Sequence, residues 1–187
     1  MGIFRKIKDG AVMLRALKKA AAELEENCPP AGELTITELE ALPDDELLET
    51  VWERAEEQLA DCEEPEEGLR ALNEPRRVVW VLRTLEMEVN NGGLCQFFVN
   101  SSRAAAPWVS GCMALVGAEE HRRLYDGFAA DNHLDLTDLS SFAVRRVSEY
   151  KKQCRRLPFD EYDERFYELE PLETYLVPYI RAHLDEL

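Results

Sequence analysis

Between residues 43 and 61 the chain repeats apolar residues at steps of three and four. Leu47, Leu48, Val51, Trp52, Ala55 and Leu59 fall on one half of a helical wheel, and Glu46, Glu49, Glu53, Glu56, Glu57 and Asp61 on the other. A strand cannot use this pattern, because alternate side chains of a strand face opposite sides and would scatter the apolar set over both. The same period recurs further on. Val78, Val81, Leu82, Leu85 and Val89 mark a buried stripe that starts behind Pro75, a residue suited to the first helical position. It ends at Asn91-Gly92-Gly93, where Asn and Gly can adopt the left-handed conformation of a helix C-cap. A short helix is predicted over about 94–100, and others over 107–116, 119–130, 139–157 and 171–187, the last with a kink at Pro178. A helical turn is predicted at 160–169, a short turn at 37–42 and a loop at 63–67 around Pro65.

No alternating run of useful length and no hairpin dipeptide between β-branched stretches occurs, so the expected fold is all-α. At 187 residues and 45% apolar content one core is expected, hence a single compact multi-helix domain. Ahead of it, Ile3, Phe4, Ile7, Ala11, Leu14, Leu17, Ala21 and Leu24 predict an N-terminal basic amphipathic helix over 3–26. Pro29 and Pro30 break it, so residues 1–32 read as an arm with its linker and 33–187 as the acidic helical domain.

The net charge is −16, unevenly placed. Residues 1–19 hold six Lys/Arg against Asp9, residues 20–74 hold nineteen Asp/Glu against Arg54 and Arg70, and residues 75–187 are close to balance. An acidic surface of this strength repels nucleic acid and anionic membranes and attracts basic partners. Glu46, Glu49, Glu53, Glu56, Glu57, Asp61, Glu63, Glu64, Glu66 and Glu67 are therefore the candidate partner-binding face. A solvated helix face is the other reading of these acids; such a face ordinarily mixes lysine with glutamate, whereas here only Arg54 and Arg70 offset nineteen acids.

Five cysteines, Cys28, Cys62, Cys95, Cys112 and Cys154, form no C-x-x-C pair, which fits reduced thiols in a cytoplasmic protein better than a disulfide framework or a zinc site. His121, His133 and His183 have no metal-binding spacing among themselves. Asp131, His133, Asp135 and Asp138 cluster, but Leu136 stands where a calcium loop needs glycine, so a polar loop with a helix cap is the expected reading and no metal or other cofactor is expected. No nucleophile elbow or phosphate-binding glycine loop is present, and an enzyme is not expected.

The segment Glu88, Asn91, Gly92, Gly93, Gln96, Phe97, Phe98, Asn100 has the form E-x-x-N-G-G-x-x-Q-F-F-x-N. It resembles the signature of a bacterial helical domain family known chiefly as the C-terminal domain of an acidic DNA-mimic protein. Leu115-Val116-Gly117-Ala118 resembles that family's apolar-Gly-Ala step, and Phe159-Asp160, Asp163, Phe166-Tyr167 resembles its F-D-x-x-D-x-x-F-Y stretch. The resemblance spans roughly residues 43–185. Leu94 departs from the aromatic common there, Arg103 from a small residue, and the basic arm is outside it.

The resemblance implies an all-helical fold, no cofactor and, for the characterised type, a homodimer whose carboxylates imitate DNA phosphates. The expected partner is then a basic protein, including DNA-binding proteins, with no direct nucleic-acid or membrane contact. Read from the residues, the motif is a structural hinge: Gln96 and Asn100 lie one helical turn apart on one face, and Glu88 is placed to reach back to N–H groups of the next helix. The alternative function is an immunity- or antitoxin-like protein that plugs the basic active site of one enzyme. The basic arm could lie on a membrane, pack on an acidic face or cover a dimer seam; the acidic body favours packing within the assembly.

Overall fold

The computed structural model describes residues 34–187. The helix expected at 3–26, its linker and Cys28 lie outside the described residues. The chain divides into two units after Leu39. At the end of the first, Thr35 and Glu38 form a reciprocal cap: the Thr35 N–H donates to Glu38 Oε2 at 2.8 Å, and the Glu38 N–H donates to Thr35 Oγ1 at 3.3 Å. This cap starts helix α1 (Ile36–Ala41), where the sequence suggested only a turn.

The second unit, Glu40–Leu187, is built from α2 (Asp44–Ala60), α3 (Pro65–Ala71), α4 (Glu74–Val99), α5 (Ala106–Val116), α6 (Glu119–Asp131), α7 (Val147–Gln153), α8 (Phe159–Tyr167) and α9 (Glu173–Ala182). Short 3-10 turns occupy Ser101–Ala105, Ser140–Phe142 and Leu184–Glu186. Among the described residues there is no strand, so the all-α expectation holds.

Helix α4 is the axis, packed by α2, α5, α8 and α9. Asn73 caps it by accepting the Arg76 N–H at 3.0 Å, with Pro75 in the first turn. Val78, Val79, Val81, Leu82, Leu85 and Val89 of its first half are fully buried. In its second half Phe98 sits at the middle of an aromatic cluster, with ring centroids 5.3 Å from Phe142, 5.7 Å from Phe128 and 6.4 Å from Phe159. Three separate chain segments thus converge on one ring. Arg181 clasps the start of α2 from α9, reaching the Asp44 carboxylate and the Leu42 carbonyl.

The step at 115–118 is a left-handed helix end. Gly117 has φ +80°, and the Ala118 N–H donates back to the Met113 carbonyl at 2.9 Å.

Two expectations need correction. The loop at 63–67 is partly helical, because Pro65 takes the first position of α3, whose Gly68 and Leu69 are buried. The continuous helix at 139–157 is instead a 3-10 turn at Ser140–Phe142, an extended stretch and α7. Leu139 and Phe142 are buried, whereas no residue of α7 is, and Val147 is 74% exposed. The apolar stripe stops at Phe142, so no packing gain holds a helix through 143–146.

Phe98→Ala is expected to cost about 3–5 kcal/mol in urea-induced unfolding, as an aromatic lost from a closed core does. Val147→Ala is expected to shift stability by less than about 0.5 kcal/mol.

Candidate functional site

A helix broken at its middle leaves N–H and carbonyl groups that need other partners. In α4 the break falls at Gly92 (φ −161°, ψ 24°) and Gly93 (φ +75°, ψ 177°). Only Gly93 is in the left-handed region; Asn91 stays helical, so the C-cap expected of the Asn-Gly pair is carried by a single glycine. A Cβ at Gly93 would also overlap the Asp163 carboxylate, and one at Gly92 would overlap the Gln96 side chain.

The freed groups are taken up from several sides. Asp163 of α8 accepts the Leu94 N–H at 2.8 Å, which caps the restarted helix. Tyr167, one turn further along α8, donates its hydroxyl to the Val89 carbonyl at 2.8 Å. Glu88 does not reach backbone N–H groups, contrary to expectation. Its carboxylate instead accepts from Gln96 Nε2 at 2.6 Å, Asn100 Nδ2 at 2.9 Å and Ser102 Oγ at 2.8 Å. An ionised acceptor holding three donors is a strong arrangement and leaves its oxygens occupied. Gln96 and Asn100 do share a face, and Phe97 is fully buried beneath them. Asp160 stands exposed on the first turn of α8, apart from this network.

Two members escaped the sequence reading. Ser102 follows the motif by two residues with nothing to mark it. Glu86 is only 6% exposed and accepts the Leu172 N–H at 2.7 Å, so it anchors the chain entering α9. It falls four residues after Leu82 and three before Val89, on the buried stripe; an acid at such a position signals a partner from another segment.

Next to the hinge, α2 meets α4 through two tryptophans. Trp52 Nε1 donates to Thr84 Oγ1 at 3.3 Å, and Trp80 Nε1 donates to Glu56 Oε1 at 2.5 Å. Glu49 pairs with Arg83 at 3.6 Å, and Arg83 also reaches Glu86 at 3.4 Å. A cavity of about 500 Å³ opens here, lined by Trp52, Glu56 and Trp80 and, from the hinge, by Glu88, Gln96 and Ser102. Glu49 and Glu56 are thus used in packing α2 on α4. Glu46, Glu53, Glu57, Asp61, Glu63, Glu64 and Glu67 are exposed and make no ion pair among the described residues, while Glu66 pairs with Arg70 at 3.5 Å.

The remaining sequence candidates have structural settings. His121 is buried, its ring edge-on to Phe166 at 5.3 Å and Tyr175 at 5.8 Å, and burial lowers its pKa. Asp135 accepts from Thr137 and Asp138 from Ser140, as loop-turn acceptors. Among the described residues no His, Cys, Asp and Glu group is arranged to hold a metal, and no helix is long and apolar enough to cross a membrane.

The unit is all-helical, as the sequence signature implied, with a splinted break in its axial helix and an acid-rich helix beside it. Residues 70–183 match the family described as DMP19-like protein, and the chain belongs to that family, the DNA-mimic protein family. The match begins beyond α2, so the acids up to Glu67 lie outside it. No curated protein and no solved structure matches the chain.

Gly93→Ala is expected to lower stability by about 3 kcal/mol or more, since a left-handed backbone and an occupied Cβ position coincide; chemical denaturation reads this directly. Burial raises the pKa of Asp163, opposed by its bond from Leu94 and reinforced by Asp160. The native state therefore keeps this proton at pH values where the unfolded chain has released it, and the site's contribution falls as pH rises from the ordinary Asp range to the folded value. Asp163→Asn keeps an acceptor for Leu94 but cannot titrate. It is expected to remove that downward slope in stability-against-pH curves, whereas Asp163→Ala is expected to cost about 1–3 kcal/mol.

Proposed function

We propose that this protein is an acidic interaction protein, a DNA mimic that binds a basic, nucleic-acid-binding protein and blocks its nucleic-acid surface. The observation that carries the reading is the division of charge on α2 and α3. Of the ten acids singled out there, Glu49, Glu56 and Glu66 have partners in the fold, and the other seven project without counter-charges among the described residues. Of the two arginines in this stretch, Arg70 is paired with Glu66, and Arg54 is half-buried with one guanidinium nitrogen enclosed and without a hydrogen-bond partner. A surface of this kind is costly to keep as mere solvation, because like charges repel along a helix, and it is well suited to capturing a cationic groove. Electrostatic steering by such a face gives fast, salt-sensitive association. The hinge is consistent with this reading, because the Glu88 carboxylate is engaged by three side-chain donors that hold the break in α4 together.

A second reading is favoured by the tryptophan-walled cavity beside the acidic face. An immunity-like protein would seat one side chain of a single enzyme there, with weak salt dependence.

The test is affinity capture from the native cells, followed by binding measurements on the captured protein. Changing Glu53, Glu57, Glu64 and Glu67 to Lys is expected to weaken binding at least about 100-fold with an unchanged helical circular-dichroism spectrum. Duplex DNA should displace the partner, and affinity should fall steeply with salt. Undiminished binding by the charge-reversed protein removes the proposed surface; a DNA-insensitive enzyme as partner supports the second reading.

A further inference from the structure

Four of the five cysteines are described, and they have different surroundings. Cys62 is half-buried at the end of α2, its Sγ 3.6 Å from the Gln58 carbonyl. Cys112 is buried in α5, its pKa pushed up to about 12 by burial. Cys95 and Cys154 are 59 residues apart in sequence, yet their Sγ atoms lie 2.8 Å apart. Cys95 is 2% exposed, in the restarted half of α4 directly after Leu94, and Cys154 is half-buried at the C-terminal end of α7.

We propose that Cys95 and Cys154 are a thiol pair that peroxide converts to a reversible disulfide, tying the α7 segment to the hinge of α4. The sulfurs already touch, and a bond of about 2.05 Å needs only a small side-chain adjustment. Exposure sets the order of events. Cys154 is the more open of the two, half-buried where Cys95 is 2% exposed, and reactive cysteines occur in partly open places. Cys95 is enclosed, so peroxide reaches it less readily, but its sulfur is already in contact with Cys154 Sγ, which places it for the second step.

The Cys154 sulfur attacks one oxygen of hydrogen peroxide, the O–O bond breaks, and a sulfenic acid and water result. The Cys95 sulfur then attacks Cys154 Sγ; the S–O bond breaks and the hydroxide leaves as water with the Cys95 proton. Two thiols and one peroxide give one disulfide and two waters, with two electrons passing from sulfur to oxygen. A cellular dithiol reverses the step by exchange, returning two electrons and two protons.

The consequence follows from how weakly α7 is held. None of its residues is buried, and the segment is attached by Gln153, which donates to the Ser141 carbonyl, and by Arg156, which reaches Ser141 Oγ at 3.2 Å. Six cations, Arg145, Arg146, Lys151, Lys152, Arg155 and Arg156, lie on this segment with Glu149. The disulfide would fix the most cation-rich stretch of an acidic unit against its axial helix, and such transient bridges are the kind reducing compartments use for sensing.

The test uses the full-length protein, reduced and then exposed to stoichiometric hydrogen peroxide, with remaining thiols alkylated. The expected product has lost two hydrogens, has three alkylated cysteines of five and yields a peptide pair joining Cys95 to Cys154. Reducing agent should restore all five, and tryptic cutting within 145–156 should be slowed about tenfold in the oxidised form only. Cys154→Ser should abolish the joined peptide with the helical spectrum unchanged, while Cys62→Ser should leave it intact. Five alkylated cysteines after oxidation, a different pair joined, or equal cutting of both forms would each overturn the proposal.

Discussion

The break at Gly92-Gly93 is the constraint from which the rest of the second unit follows. A straight α4 would send Phe97 and Phe98 in directions that the 3.6-residue period dictates from Val89 onward. The break resets that phase, and the second half buries Leu94, Cys95, Phe97, Phe98 and Val99 together. Resetting leaves the Val89 carbonyl and the Leu94 N–H without their helical partners, in a region closed to water. Tyr167 and Asp163 supply them from one helix, α8, so the break and the docking of α8 require each other. Glu88 then secures the outer side by gathering Gln96, Asn100 and Ser102, which spans the break with side chains where backbone bonding fails.

Helix α2 shows how one acidic sequence serves two ends. Its carboxylates differ by position around the wheel. Glu49 and Glu56, close to the apolar half, meet Arg83 and Trp80 of α4. Glu46, Glu53 and Glu57, further round, meet no cation among the described residues. Surface ion pairs contribute little to stability, so the Glu49 contact matters more for setting the register of α2 on α4 than for its energy. The indole bond from Trp80 to Glu56 acts in the same way, and both residues line the cavity that Glu88 and Gln96 of the hinge also line.

Most of the helices were legible because their apolar stripes are long and regular; α2, the first half of α4, α5 and α6 are each marked by such a stripe or by a proline at the start. The segment 139–157 was not, since Leu139 and Phe142 begin a stripe that has no continuation, and only the tertiary position of Phe142 in the aromatic cluster shows where the helix fails. The hinge was legible in outline through the grouping of Glu88, Gln96 and Asn100, but the direction of the Glu88 contacts was not. The N–H it was expected to accept belongs to Asp163, 69 residues away from Leu94, and no local spacing encodes that pairing. Glu86 was legible in principle, as an acid on a buried stripe, and its partner Leu172 again lies far along the chain.

The family match bears on how fold and function are divided. It covers residues 70–183, which contain the whole hinge with Asp163, Tyr167 and the aromatic cluster. The unpaired acids of α2 and α3 precede it. The part that shows kinship therefore specifies how the domain folds, and the part that carries the proposed partner surface is a helix laid on that fold through Trp52, Trp80 and Arg83. Because the contacts that seat α2 use one side of the wheel and the unpaired carboxylates another, the surface can change its charge without disturbing the seat. If the proposed surface is the one that meets a partner, its charge is free to vary on the outer face of α2 while the splinted axial helix stays the same.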